Sequence, residues 1–189
     1  MIKISFLTGE LIFAFVWLAL RAITWIVKGR IDWKREAVLL LMYINLAVII
    51  RFVFYPFFAA YAHVQPLIIE RDRIFPPRVN LVPFVHITEY DAKREALINI
   101  IGNVFLFIPS GIILPAVYKK LDSFRKTVLA GAGISLLIET VQLLLPNSVT
   151  DIDDLILNVF GVIIGCAVFS LVKALIKRSS KRRPQEKRQ

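Results

Sequence analysis

The chain has little of the chemistry on which most soluble enzymes depend. Its 189 residues include one cysteine, Cys166, and two histidines. A single cysteine excludes a disulfide within the chain and a thiolate metal site. The sequence also has no Gly-x-Ser-x-Gly, no P-loop, no His-Glu-x-x-His and no cluster of cysteine and histidine. It therefore predicts no cofactor, no metal ligand set of a familiar kind and no catalytic residue.

Acidic and other polar residues are also scarce. There are 14 acidic against 24 basic side chains, 57% of residues are hydrophobic, and the mean hydropathy is +0.67. Such a composition is typical of an integral membrane protein. Crossing a hydrocarbon core takes about 20 helical residues, and the apolar runs of that length are 4–27, 36–61, 97–118, 127–146 and 155–175. We predict an all-α, polytopic membrane helix bundle with about five transmembrane helices, a multi-pass protein of the cell membrane.

Basic residues are placed unevenly along the chain, and this predicts its orientation. Segments 28–35, 119–126 and 173–189 carry 16 Lys and Arg, against six on the opposite side. Cytoplasmic loops are enriched in such residues, so the C-terminus is predicted to be cytoplasmic and the N-terminus outside. A basic tail that adjoins a span favours membrane lipids as partners over nucleic acid. The sequence does not indicate an oligomeric state.

Three regions follow from this topology. Residues 1–35 form an N-terminal transmembrane helix and a cytoplasmic loop. Residues 36–176 form the main membrane domain, whose long outer loop, 62–96, is a candidate lid or interfacial segment. Residues 177–189 form a basic cytoplasmic tail.

Four polar residues lie inside the apolar runs, where they are costly and usually functional. They are Arg51, Asn103, Glu139 and Asn158. A rise of 1.5 Å per residue places each about 20–22 Å from the cytoplasmic end of its helix. All four are therefore predicted in the outer half of a core about 30 Å thick, where they can form one site.

Helical spacing adds neighbours to these residues. Side chains three or four positions apart share a helix face, and the candidate ligand-binding set is Arg51, Asn80, Asn99, Asn103, Glu139, Gln142, Asp151, Asp154 and Asn158. Asn80 comes from the outer loop, together with Phe84. Asp151 is also a candidate N-cap of the last helix, and Asp153 is expected to face solvent.

Two further features concern the helices themselves. Gly161 and Gly165 form a Gly-x-x-x-Gly pair that lets a neighbouring helix approach closely. Pro109-Ser110-Gly111 is predicted to kink or interrupt its span, with Ser110 or a neighbouring helix satisfying the freed carbonyl.

These residues also carry a family pattern. It consists of Asn80-Leu81-Val82-Pro83-Phe84, Asn99-x-x-x-Asn103-x-x-x-Phe107-x-Pro109-x-Gly111-x-x-Leu114-Pro115, Ser135-x-x-x-Glu139-x-x-Gln142 and Asp151-x-Asp153-Asp154-x-x-x-Asn158-x-x-Gly161-x-x-x-Gly165. Over about residues 38–172 the chain resembles the VanZ-like family of bacterial membrane proteins. The resemblance implies a small multi-span protein, and the family's namesake is associated with low-level resistance to teicoplanin, a lipid-anchored glycopeptide. It implies no catalytic mechanism. Many members have an arginine near position 148, where this chain has Ser148, and Arg51 is a candidate substitute.

Several functions fit the predicted cluster. In the first, Arg51 pairs with Glu139 in a purely structural polar core, as in a non-catalytic scaffold partner. In the second, the site opens to the outside and binds an amphiphilic cell-envelope ligand, either a lipid-linked precursor or a glycopeptide antibiotic. In the third, Glu139, Asp151, Asp153 and Asp154 hold a divalent cation in an enzyme that acts on a lipid headgroup. We predict the binding function, with a contribution to antibiotic resistance, and keep the others as alternatives.

Overall fold

The computed structural model describes residues 2–55, 57–58, 63–69, 78–83, 93–145 and 150–186. Within them are five α-helices, namely α1 (Phe6–Lys28), α2 (Trp33–Phe54), α3 (Lys93–Val117), α4 (Phe124–Gln142) and α5 (Ile152–Glu186). A 3-10 turn, Lys119–Leu121, separates α3 from α4. By length and composition α1, α2, α3 and α5 can each cross a membrane. The shorter α4 carries three charged residues, Arg125, Lys126 and Glu139. The predicted all-α membrane helix bundle is confirmed.

The connection between α1 and α2 is specified by local sequence. Gly29 ends α1 with φ 63°, a left-handed conformation that glycine adopts without a Cβ clash. Asp32 then caps α2, because its side chain accepts a hydrogen bond from the Arg35 backbone N–H at 3.2 Å. Beyond this turn, Arg21 of α1 forms an ion pair with Glu36 of α2.

Two helices end at other positions than the apolar runs predict. Span 36–61 was expected to be helical throughout, but α2 stops at Phe54. The reason is Pro56, because a residue that precedes proline avoids the helical region, and Tyr55 has φ −128° and ψ 66°. At the other end of the chain, α5 continues past 155–175 into the predicted basic tail and ends at Glu186.

Short strands connect the loops to the helix ends. They are β1 (Ile2–Ile4), β2 (Phe57–Phe58), β3 (His63–Val64), β4 (Leu67–Ile69), β5 (Val79–Asn80) and β6 (Thr150–Asp151). β1 pairs antiparallel with β4, and β2 pairs antiparallel with β3. β5 pairs in parallel with β6, so that Asn80 lies opposite Asp151. The last pair joins part of the outer loop to the start of α5.

Helix α3 passes through Pro109 without interruption. Of the two predicted outcomes, the interruption is therefore wrong. Pro109 leaves the Phe105 carbonyl without its helical N–H donor. Asn45 of α2 donates to the next carbonyl of α3, that of Leu106, at 3.2 Å. The Ser110 hydroxyl donates to the Asn45 side-chain oxygen at 2.5 Å. Asn45 and Ser110 are both buried, so this polar contact lies between α2 and α3.

The closest helix packing is between α3 and α5, which have the most extensive contact in the described bundle. A Cβ on Gly165 would lie 2.0 Å from the Ile108 carbonyl oxygen, and one on Gly161 would lie 2.3 Å from that of Val104. Only glycine allows backbones to approach so closely. The predicted role of the Gly161–Gly165 pair is therefore confirmed, with α3 as the neighbouring helix.

The remaining helices surround this pair. α4 packs on α5, and α2 packs on α3. Ile49 of α2, Phe107 of α3 and Val162 of α5 form a buried core cluster. α1 has no buried residue, and Phe15 on it is 74% exposed. An apolar outer surface of this kind is suited to lipid rather than to water.

One end of the bundle gathers three basic segments. The start of α2 and residues 117–120 line a common cavity there. Lys173 of α5 lies 2.5 Å from Asp122 of the α3–α4 turn. These segments must share one membrane side if the helices alternate across the bilayer. That this side is cytoplasmic stays a prediction.

Candidate polar site where α3, α4 and α5 meet

The first contact of the site joins α3 to α5. The side-chain nitrogen of Asn103 donates to the Asp154 carboxylate at 2.6 Å and to the Asn99 side-chain oxygen at 2.7 Å. Asn103 and Asp154 are half-buried, and Asn99 is exposed. Three of the predicted residues therefore form a chain of polar groups that reaches the protein surface.

The second contact is centred on Glu139 of α4, which is 4% exposed. One of its carboxylate oxygens accepts from the Asp151 backbone N–H at 3.3 Å. With its amide nitrogen turned toward the carboxylate, Gln142 donates to the two oxygens at 3.3 and 3.2 Å. The Thr150 hydroxyl donates to the Glu139 carbonyl at 3.0 Å. Glu139 thus connects α4 to the segment that enters α5.

Asp151 is a junction between the outer loop and α5. Its Oδ1 accepts from the Asn80 side-chain nitrogen at 3.1 Å and from the Asp153 backbone N–H at 3.0 Å. Since α5 begins at Ile152, the second bond is an N-cap bond, and the predicted cap is confirmed. Asp153 is only 5% exposed, so the expectation that it faces solvent is wrong. The β5–β6 pair and the end of α4 lie against this first turn of α5.

A second polar layer lies one helical turn farther into the bundle. The Asn158 side-chain nitrogen donates to the Ser135 hydroxyl at 3.0 Å. Asn158 is 3% exposed and Ser135 is 0% exposed. The Asn158 side-chain oxygen is buried and has no hydrogen-bond partner in the described part of the chain. This pair is enclosed by protein, in contrast to the layer that contains Asn99.

Arg51 is the one candidate that the structure separates from the others. Its guanidinium donates to the Tyr55 carbonyl and lies 5.2 Å from the ring centroid of Phe6, on the side of α1. Among the described residues it forms no ion pair with Glu139, whose contacts are those given above. Depth along a helix does not fix direction around it, and Arg51 is about 240° around α2 from Asn45, which faces α3.

Sequence reasoning missed Asn45 as a member of the polar interior. The available signal was an amide in the apolar run of α2, on a face with Leu41, Val48 and Phe52 at spacings of three and four. The faces of α3, α4 and α5 each carry two or more polar residues at helical spacing, whereas this face of α2 carries Asn45 alone among apolar residues.

The site is acidic. In the described part of the chain, neither Glu139 nor Asp154 forms an ion pair with a Lys or Arg, and their side-chain partners are amides. Within the same residues, no group of three or more His, Cys, Asp or Glu side chains is arranged to hold a metal ion. Two positions named from the sequence lie outside the described residues. They are Phe84 of the candidate lid and Ser148, where many family members have an arginine.

The fold and the polar cluster define a multi-pass membrane helix bundle whose three most closely packed helices share buried and half-buried amides and carboxylates. The chain belongs to the VanZ/LLP1 family, whose model matches residues 39–173. That range contains α3, α4 and all the contacts of the polar cluster. Neither a curated protein nor a solved structure matches the chain.

Proposed function

We propose that the half-buried part of the polar cluster binds the polar portion of an amphiphilic cell-envelope ligand, on the extracytoplasmic side of the membrane. The carrying observation is the Asn99–Asn103–Asp154 chain, which runs from an exposed amide to a carboxylate without a basic partner among the described residues. Amides both donate and accept hydrogen bonds, and carboxylates accept them. Such a surface suits the hydroxyl, amide and amine groups of a peptide or sugar.

The two layers have different roles in this proposal. Asn158 and Ser135 are enclosed and bonded to each other, which favours a structural role in holding α4 to α5. Asn99, Asn103 and Asp154 are accessible from the end of the bundle, so they are the ligand-binding residues. The structural-core alternative thus accounts for the inner layer, and ligand binding accounts for the outer one.

The ligand class follows from the position of the cluster. Asp154 lies in the first turn of α5 and the exposed Asn99 in the second turn of α3, so a ligand that contacts them is held at the membrane surface. A lipid-linked cell-wall precursor and a lipid-anchored glycopeptide both place a peptide or sugar group there. Binding of either type would connect the chain to antibiotic susceptibility, as the family suggests.

The test measures binding of teicoplanin and of a lipid-linked cell-wall precursor to the full chain in lipid nanodiscs. The variants are Asn99→Ala, Asn103→Ala and Asp154→Asn. Loss of one hydrogen bond worth about 1.4 kcal/mol corresponds to a tenfold weaker affinity, and we expect at least one probe to show it.

Thr140→Ala is the matched control, because its exposed hydroxyl bonds only to its own helix at Leu136. It is expected to bind as the unchanged protein does. If the three site variants fold normally and bind both probes with unaltered affinity, the outer layer has no role in binding. Antibiotic susceptibility of cells that express each variant is the second readout.

A further inference from the structure

An apolar groove runs between α2 and α3 on the outside of the bundle. It has a volume of about 490 Å³, within the range of small-molecule sites in proteins. Its walls are two stripes at spacings of three and four, from Leu41 to Phe52 on α2 and from Gly102 to Ile113 on α3. The eleven residue steps from Gly102 to Ile113 correspond to about 16 Å of length. Asn45 is the one polar side chain that lines it, and that side chain is bonded to Ser110.

A basic cavity of about 600 Å³ lies at one end of the same two helices. Lys34 and Arg35 of α2 and Lys119 and Lys120 of the turn after α3 line it, and all four are exposed. Asp32 is the one acidic residue in its lining, and its carboxylate is engaged in capping α2. The cavity therefore has an excess of positive charge.

The two cavities follow one another along both helices. On α2, Val38 of the basic cavity is three residues before Leu41 of the groove. On α3, Ala116 of the basic cavity is three residues after Ile113 of the groove. Residues three apart share a helix face, so the apolar groove continues directly into the basic cavity.

From this arrangement we infer that α2 and α3 form a binding site for one anionic phospholipid, with its phosphate among Lys34, Arg35, Lys119 and Lys120 and an acyl chain in the groove. Basic pockets between transmembrane helices recognise anionic headgroups through charge. The hydrocarbon chain matches a groove that exposes almost no polar surface. The basic cavity lies at the opposite end of α3 from Asn99 and Asn103 of the polar cluster, and the inference does not depend on the proposed function.

The test compares phosphatidylglycerol with phosphatidylcholine of identical acyl chains, titrated onto the full chain in detergent and followed by native mass spectrometry. We expect phosphatidylglycerol to bind about tenfold more tightly or better, because several basic side chains face its phosphate. Exchange of Lys34, Arg35, Lys119 and Lys120 for Gln is expected to remove that preference. Arg125→Gln with Lys126→Gln is the matched control, because these basic residues start α4 and do not line the cavity.

The groove is tested separately with Gly102→Leu. A Cβ on Gly102 would meet open space, so a leucine side chain at this lining residue extends into the groove. Gly102→Leu is expected to lower the affinity of the chain for both lipids by about tenfold. The control is Gly133→Leu, at an equally open glycine of α4 outside the groove, and it is expected to leave both affinities unchanged. Glycerol phosphate, which has no acyl chain, is expected not to displace the lipid.

Three results would overturn the inference. One is a preference for phosphatidylglycerol that survives in the fourfold Gln variant. Another is equal lipid binding by Gly102→Leu and Gly133→Leu. The third is a dimer of the chain that is lost with Gly102→Leu, because the groove would then be covered by a second copy.

Discussion

The side-chain amide of Asn103 donates to the carboxylate of Asp154 at 2.6 Å, and this bond joins α3 to α5 on the same face as the close glycine contact. The backbones are held together by Gly161 and Gly165 deeper in the bundle, and the Asn103–Asp154 bond lies beyond them toward the helix end. A polar side-chain contact and a close backbone contact thus lie on one helix pair, and because they involve different residues they can be mutated separately.

The first prediction concerns this bond. Asn103→Ala is expected to lower the free energy of unfolding by about 0.6–1.7 kcal/mol, the range for hydrogen bonds between transmembrane helices. Asn103→Asp is expected to cost more, because two carboxylates then face each other. Combining it with Asp154→Asn restores a donor and an acceptor, and unfolding in detergent should show recovery. No recovery in the double variant would mean that the two side chains do not interact.

The second prediction concerns the glycine contact. Gly165→Ala places a Cβ 2.0 Å from the Ile108 carbonyl oxygen, so the helices must separate, at a cost of about 1–3 kcal/mol. The matched control is Gly133→Ala in α4, where a Cβ meets open space. There alanine is expected to stabilise the helix by about 0.5–1 kcal/mol. In denaturant unfolding, the free energy of unfolding should fall for Gly165→Ala and rise for Gly133→Ala. A change of the same sign in both variants would contradict the packing argument.

The third prediction separates the inner polar layer from the binding site. Ser135→Ala leaves the buried Asn158 amide without its partner and is expected to cost about 1–3 kcal/mol. Combining it with Asn158→Leu removes both polar groups, so that stability should return close to that of the unchanged protein. Teicoplanin binding by the double variant is expected to be unaffected. A binding loss in a stable double variant would assign this layer to the ligand.

The fourth prediction tests the support of α3 beside Pro109. Asn45→Ala removes the bonds to the Leu106 carbonyl and the Ser110 hydroxyl. We expect faster amide hydrogen exchange in the middle of α3 and a loss of about 1–3 kcal/mol in stability. Val48→Ala, on the same face of α2 but without a polar bond, is the control and should leave exchange in α3 unchanged. Similar exchange in the two variants would show that Asn45 does not support α3.

The membrane class and the helix order could be predicted from the sequence, because both follow from local composition. A run of about 20 apolar residues has few alternatives to a membrane-spanning helix. The faces of α3, α4 and α5 were also predictable, since residues three and four apart lie together in any helix. Asn99 with Asn103 and Glu139 with Gln142 are in contact for this reason. The N-cap at Asp151 is a signal of the same local kind.

Tertiary structure decided which faces meet, because the direction of a side chain around a helix depends on how neighbouring helices pack. Arg51 has the depth expected of a cluster member, yet its direction around α2 places it against Phe6 and Tyr55. In the sequence Asn45 is an isolated amide in an apolar run, whereas in the structure the packing of α3 on α2 places Ser110 within hydrogen-bond distance of it. The sequence by itself determined a membrane bundle with polar stripes on three helices. The packing of α2 against α3 decided that Arg51 lies apart from those polar stripes. It also decided that an apolar groove, which continues into the basic cavity, runs between α2 and α3 on the outside of the bundle.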